Sequence, residues 1–155
     1  MTDQREKTLI LGLGNLLLCD EGVGVHVARA LMNAGCPEGV TVLDIGTAIL
    51  DALPELASAD RVIVVDAVKA DEEPGSVYRM PFDAFLRPTC IASMHGFDLS
   101  RVLALTGRNE PPEVMVIGVE PACIEWSMDL SPQVAAAVPA VLALIWDEIK
   151  PHQTQ

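Results

Sequence analysis

A short apolar run near the amino terminus places the strongest constraint on the fold. Residues 8–13 read Thr-Leu-Ile-Leu-Gly-Leu, and Gly14 follows as a turn residue. A continuous apolar run of this length is typical of a strand buried on both faces, as in a parallel sheet. Apolar residues then recur at helical spacing over residues 23–31. Asp20 and Glu21 therefore lie at a predicted strand-to-helix turn.

The same alternation of elements continues along the chain and predicts the order β-α-β-α-β-β-α-β-α. The predicted strands are 8–13, 40–45, 61–68, 75–80 and 113–119. The predicted helices are one after Glu21, a short one around Pro54, one from His95 to about Gly107 and one from Ser131 to about Ile149. We expect 75–80 to be an antiparallel edge strand and 81–92 to be an irregular connection. The fold class is therefore α/β, a three-layer α-β-α domain with a mostly parallel, twisted sheet of about five strands.

Chain length, net charge and cysteine spacing indicate the number of domains and exclude several kinds of partner. The 155 residues have the size of a single domain, so we predict one domain over residues 1–155. The formal net charge is −12, which argues against nucleic acid or an anionic membrane as a partner. The apolar run 134–146 is shorter than the ~20 residues that a membrane span needs, and we predict no such span. Four scattered cysteines form no C-x-x-C pair, which favours a reducing, cytoplasmic location.

Acidic side chains follow the first three predicted strands. Asp20 and Glu21 come after the first strand, Asp44 ends the second, and Asp66 ends the third. The carboxyl ends of parallel strands lie at one edge of a sheet, where ligands bind, and His95 at the start of a helix can reach the same edge.

Two interpretations of these residues remain open from their types and positions alone. Two carboxylates and one imidazole, with open positions for water or substrate, are typical of a divalent transition-metal site. Alternatively, each acid caps a helix, because free backbone N–H groups favour negative charge there. A dinucleotide site fits poorly, because the G-x-G-x-x-G pattern that begins at Gly12 would need glycine where Leu17 stands.

Six short motifs resemble those of the hydrogenase maturation endopeptidases, which trim the carboxyl terminus of [NiFe]-hydrogenase large-subunit precursors. They occur in order and span nearly the whole chain. The motifs are Gly-Leu-Gly-Asn-Leu-Leu-Leu-Cys-Asp-Glu-Gly-Val-Gly at 12–24, Leu-Asp-Ile-Gly-Thr at 43–47, Val-Ile-Val-Val-Asp-Ala at 62–67, Ser-Met-His-Gly at 93–96, Ile-Gly-Val-Glu-Pro at 117–121 and Leu-Ser-Pro at 130–132.

The resemblance implies roles for individual residues. Glu21, Asp66 and His95 match the positions that contact metal, and these are the catalytic candidates. Asp20 is then a helix cap, or a residue that supports the metal-contacting side chains without contacting the metal itself. Asp44 is a secondary candidate for substrate recognition. Ile45 stands where many members of that family have glycine, which argues against a role that needs unusual backbone angles there.

The resemblance also implies an activity and a partner. We expect a cytoplasmic, monomeric endopeptidase whose partner is the large-subunit precursor and whose metal is nickel presented by that precursor. Another divalent metal in the isolated protein is compatible with the same residues. We expect one carboxylate to act as general base, because no Ser-His-Asp arrangement and no H-E-x-x-H helix is present. Segment 81–92 is a candidate for choosing the precursor.

Two other classes of function remain open. One is a nickel- or precursor-binding chaperone that holds its partner without cutting it. The other is a stand-alone metal-dependent hydrolase acting on a small molecule, which predicts stoichiometric metal in the purified protein.

Overall fold

The computed structural model describes residues 5–86 and 94–150, which form an α/β domain around one five-stranded sheet. The strands are β1 (Thr8–Leu13), β2 (Val40–Gly46), β3 (Arg61–Ala67), β4 (Val77–Pro81) and β5 (Glu113–Val119). The helices are α1 (Val23–Ala34), α2 (Leu53–Ser58), α3 (Phe82–Phe85), α4 (Met94–Leu105) and α5 (Pro132–Ile149). One-turn 3-10 helices at Cys19–Gly22 and Ile49–Ala52 precede α1 and α2.

The sheet is mostly parallel, and its strand order is β2-β1-β3-β5-β4. β1 pairs with β2 and β3, and β3 pairs with β5, all in parallel. All six residues of β1 are buried, as predicted for a strand covered on both faces. β4 pairs antiparallel with β5 at one edge, which confirms the prediction of an antiparallel edge strand.

Helices cover both faces of the sheet and complete the predicted three layers. On one face, Leu31 of α1 and Val141 of α5 share an apolar core with Ile63 of β3. On the other face, Leu56 of α2 and Leu99 of α4 share a second core with residues of β1 and β3. Because β1, β2, β3 and β5 run parallel to one another, their carboxyl ends lie at one edge of the sheet, which we call the carboxyl edge.

α5 would qualify as a membrane span by its length and composition alone. However, Val134, Val141 and Ile145 have no exposed surface and pack in the core that α5 shares with the sheet and α1. This arrangement is that of a covering helix in a layered α/β domain.

Segment 81–92 is more ordered at its start than the sequence predicts. Pro81 ends β4, and residues 82–85 form α3, so the prediction of an irregular connection is wrong there. Phe85 is fully buried, and its ring lies 6.3 Å from that of Phe82. A single helical turn has too few residues to produce a recognisable period, which explains the error. The rest of the segment lies outside the described residues, and its role in choosing a precursor stays a prediction.

Close contact between α1 and the sheet depends on a glycine. A Cβ atom on Gly24 would lie 2.1 Å from the carbonyl oxygen of Val65 and 2.3 Å from that of Leu13. The first turn of α1 therefore sits directly against the ends of β1 and β3, which fixes the preceding 3-10 turn relative to the carboxyl edge.

Candidate active site

Three side chains predicted to act together meet at the carboxyl edge. Glu21 lies in the 3-10 turn after β1, Asp66 lies in β3, and His95 lies in the first turn of α4. The Nδ1 atom of His95 is 3.0 Å from Oδ2 of Asp66, and its Nε2 atom is 3.7 Å from Oε1 of Glu21. We call these three residues the acid–histidine cluster.

Asp66 orients the imidazole ring of His95 through its contact with Nδ1. Its side chain is only 1% exposed, and its second oxygen, Oδ1, accepts a hydrogen bond from the backbone N–H of Ala67. With Nδ1 of His95 held by Oδ2 of Asp66, Nε2 is the ring nitrogen that faces Glu21. A carboxylate that fixes one ring nitrogen in this way prepares the other to bind a metal or exchange a proton.

Burial and pairing shift the ionisation of this pair. Burial raises the pKa of Asp66, and the hydrogen bond from His95 opposes that rise. The hydrogen bond to Asp66 raises the pKa of His95, against the opposing effect of burial. Glu21 adds negative charge that favours the protonated ring.

The ionisation of His95 gives a first testable prediction. In the wild-type protein we expect the ring to titrate above its ordinary value of 6.5, and Asp66→Asn to lower its pKa because the paired charge is lost. Proton NMR of the imidazole across a pH series measures both values, and His95→Gln identifies the signal by removing it. An unchanged or higher pKa in Asp66→Asn would show that this pairing does not hold the proton.

The sign of the linked effect on stability follows from the direction of that shift. A histidine pKa that is higher in the folded chain than in the unfolded chain stabilises the fold fully below the unfolded value. That contribution is lost as the pH rises through the folded value. Raising the pH also frees Nε2 of its proton, so a step that needs the neutral ring becomes available over the same range.

A glycine keeps the backbone close to the cluster. Gly14, directly after β1, has a φ of +117°, and a Cβ atom there would lie 1.9 Å from the carbonyl oxygen of Glu21. The same atom would lie 3.3 Å from Oδ1 of Asp66. Only glycine allows the chain leaving β1 to pass between these two acids.

The acid–histidine cluster does not by itself provide a complete set of metal ligands. Within residues 5–86 and 94–150, no three His, Cys, Asp or Glu side chains are arranged to hold a metal ion by themselves. Glu21 and His95 are nevertheless adjacent, and 26% and 17% of their side-chain surfaces are exposed. One carboxylate and one imidazole are therefore close together and partly accessible from solvent.

Asp20 lies beside Glu21 but faces the protein interior. Its carboxylate has no exposed surface and accepts four hydrogen bonds. The donors are the backbone N–H groups of Ala122, Cys123 and Ser131 and the hydroxyl of Ser131, all at 2.8–2.9 Å. Ser131 also caps α5. Asp20 thus joins the turn that carries Glu21 to the start of the last helix, a supporting position behind the cluster.

Asp44 is not brought into the cluster. It lies near the end of β2, and its Oδ2 atom accepts a hydrogen bond of 2.8 Å from Nε of Arg29 on α1. No described contact joins it to Glu21, Asp66 or His95. Its role in substrate recognition stays a prediction.

Glu120 is a buried acid for which no role could be assigned from the sequence. It is 3% exposed and follows β5. Its carboxylate accepts hydrogen bonds from the backbone N–H groups of Ala70 and Glu72 and from the hydroxyl of Tyr78. These contacts hold the loop that follows β3. Its position directly after the buried strand β5 was the signal that could have indicated it.

Comparison with known proteins identifies the family. The family model described as "Hydrogenase maturation protease" matches residues 25–148, which is most of the chain. The chain belongs to the hydrogenase maturation protease family. The Hydrogenase 2 maturation protease of Escherichia coli is 33% identical over 143 residues, covering 88% of this chain and 86% of the relative. The resemblance inferred from the six motifs is thus confirmed, and the protein is a peptidase.

Solved structures of the family share the fold. The hydrogenase maturating endopeptidase HybD from E. coli matches with a TM-score of 0.80 at 30% identity, covering 93% of this chain and 92% of that one. The [NiFe] hydrogenase maturation protease HybD from Thermococcus kodakarensis matches with a TM-score of 0.80 at 28% identity, covering 93% and 99%. The α/β fold class is therefore confirmed by members of the same family.

Proposed function

We propose that this maturation protease removes the carboxyl-terminal extension of a [NiFe]-hydrogenase large-subunit precursor in the cytoplasm, acting as a monomer. The observation that carries the proposal is the meeting of Glu21, Asp66 and His95 at the carboxyl edge of a fold that belongs to hydrogenase maturation proteases. The names of the matched relatives, which include a [NiFe] hydrogenase maturation protease, support this class of substrate.

Nickel is part of the substrate in this proposal. Glu21 and His95 are partly exposed, with 3.7 Å between Oε1 and Nε2, and the described residues offer no complete metal site. Oxygen and imidazole ligands bind nickel without displacing the softer thiolates that would hold it in the precursor. The cluster would therefore recognise nickel-loaded precursor and position it for cleavage.

The different surroundings of Asp66 and Glu21 support Glu21 as the general base. Asp66 is buried and has both oxygens engaged, by His95 and by Ala67. Glu21 is the more exposed acid, and its carboxylate contacts only His95 among the described ion pairs. Glu21 would accept a proton from the water that attacks the scissile carbonyl, and that proton would then pass to the leaving amine.

Mass spectrometry of the precursor tests this function. Large-subunit precursor, prepared with and without nickel, is incubated with the protein, and we expect a carboxyl-terminal peptide to be lost only from the nickel-loaded form. Stable binding without cleavage would instead indicate a chaperone. Cleavage that is independent of nickel in the precursor would remove nickel from the recognition step.

A further inference from the structure

Exposed apolar side chains are concentrated on two paired segments, one of which leads into the turn that carries Glu21. The exposed large apolar residues among the described ones are Leu17, Met32, Leu50, Phe97, Leu105, Ile124, Trp126 and Met128. Half of them, Leu17, Ile124, Trp126 and Met128, lie on two segments that contact each other, and we call these four the apolar patch. Trp126 is 79% exposed. Single exposed apolar residues are common on protein surfaces, whereas a group of them marks an interaction site.

The two segments of the apolar patch are fixed to each other by backbone hydrogen bonds. The N–H of Cys19 donates to the carbonyl oxygen of Ser127 at 2.8 Å, and the N–H of Ser127 donates to that of Leu17 at 3.0 Å. The carboxylate of Asp20 anchors the same pair of segments through Ala122 and its neighbours. The patch is therefore built on an ordered support, which lowers the entropic cost of binding a partner.

One segment of the apolar patch leads directly into the turn that carries Glu21. Leu17 and Glu21 are four residues apart on the short connection between β1 and α1. A partner that covers the patch would therefore pass next to the cluster. This position is suited to holding a long polypeptide substrate whose scissile bond must reach Glu21 and His95.

The charge around the patch restricts the kind of partner. Segments 14–22 and 120–131 carry no lysine or arginine, and three of their acids, Glu21, Glu125 and Asp129, reach the surface. A second copy of the chain would present the same acids in a symmetric contact, which is unfavourable. An apolar surface flanked by lysine or arginine side chains complements the patch.

We propose that the apolar patch is the docking surface for the large-subunit precursor, and that it binds apolar side chains flanked by basic residues on that substrate. This inference rests on the proposed function and adds the surface by which the substrate is held. We expect Trp126 to be the main anchor, because it is 79% exposed and tryptophan is enriched among the residues that dominate binding energy at protein interfaces. The cluster then acts on a chain that the patch has already positioned.

Steady-state kinetics on the nickel-loaded precursor separates docking from chemistry. We expect Trp126→Ala to raise KM by about tenfold or more, with kcat changed less than about twofold, because an anchor residue contributes to binding and not to the reacting atoms. Met128→Ala should raise KM in the same direction by a smaller factor. Leu105→Ala is the matched control, since Leu105 is 66% exposed at the far end of α4, and its KM should equal that of the wild type.

Fluorine NMR gives a readout that does not depend on cleavage. The chain has two tryptophans, and Trp146 is partly buried against the core, so fluorine-labelled tryptophan gives one exposed reporter. Trp126→Phe assigns the signal. Addition of precursor to the labelled protein should shift the Trp126 signal and leave that of Trp146 in place.

Each outcome separates this inference from the proposed function. Cleavage by Trp126→Ala with unchanged KM would overturn the docking surface and leave the function intact. A wild-type protein that neither binds nor cleaves the precursor would overturn both. A Trp126 signal that shifts with protein concentration alone would show that a second copy covers the patch, and the proposal would again be wrong.

Discussion

Glu21→Gln is expected to reduce cleavage of the nickel-loaded precursor by at least about a thousandfold, which corresponds to about 4 kcal/mol of lost transition-state stabilisation. Glutamine keeps the size of the side chain but cannot accept the proton of the attacking water, and it is a weaker nickel ligand. The side chain is 26% exposed and has only one described ion-pair partner, so the fold should be retained. Initial rates of peptide release, read by mass spectrometry, measure the loss.

Asp66→Asn should produce a loss of similar size by a different route. The amide can still fill the space, but it no longer supplies the charge that faces Nδ1 of His95 at 3.0 Å. His95 would then be free to adopt another orientation. Because Asp66 acts through His95, the effect should appear together with the lower pKa of His95 expected from NMR.

Glu113→Gln provides the matched control for both substitutions. Glu113 begins β5 at the opposite edge of the sheet and is exposed, so the same chemical change there should leave the cleavage rate unchanged. Circular dichroism and the unfolding midpoint establish that each variant is folded. Wild-type rates from either Glu21→Gln or Asp66→Asn would end the assignment of that residue to the reaction.

Asp20→Ala is expected to lower the free energy of unfolding by at least about 3 kcal/mol. The substitution leaves three backbone N–H groups and one hydroxyl without their acceptor. Each buried donor left unpaired costs about 1–3 kcal/mol. Asp20→Asn should also destabilise the protein, because its amide N–H group would replace an oxygen that faces donors. Urea denaturation measures both values.

Asp129→Ala is the control for Asp20. Asp129 belongs to the same region of chain, 120–131, but its side chain is exposed and has no described hydrogen bond. Its removal should change the free energy of unfolding by less than about 0.5 kcal/mol. Equal losses from the two variants would mean that the Asp20 carboxylate does not anchor the turn.

The sequence predicted the sheet well because its signals are local. β1, β3 and β5 are short apolar runs bounded by turn residues, and each was placed to within a residue of its observed ends. The positions of Asp66 and His95 near one edge followed from the rule that parallel strands end together, and the motif resemblance selected the same residues. Their role in catalysis and metal contact stays a prediction.

What the sequence did not reveal depends on long-range contacts. The donors to Asp20 are 102 to 111 residues away along the chain, so no local pattern could indicate them. α3 consists of a single turn, too short to show a period. The apolar patch joins Leu17 to Trp126, and their proximity follows from one backbone pairing between Leu18 and Ser127.

The long-range anchor of Asp20 has a consequence for the order of events during synthesis. Asp20 is translated 111 residues before Ser131, which supplies two of its hydrogen bonds. Until Ser131 has been made, the turn that carries Glu21 lacks those hydrogen bonds. We therefore expect this turn to reach its final position only after the start of α5 has been translated and has packed.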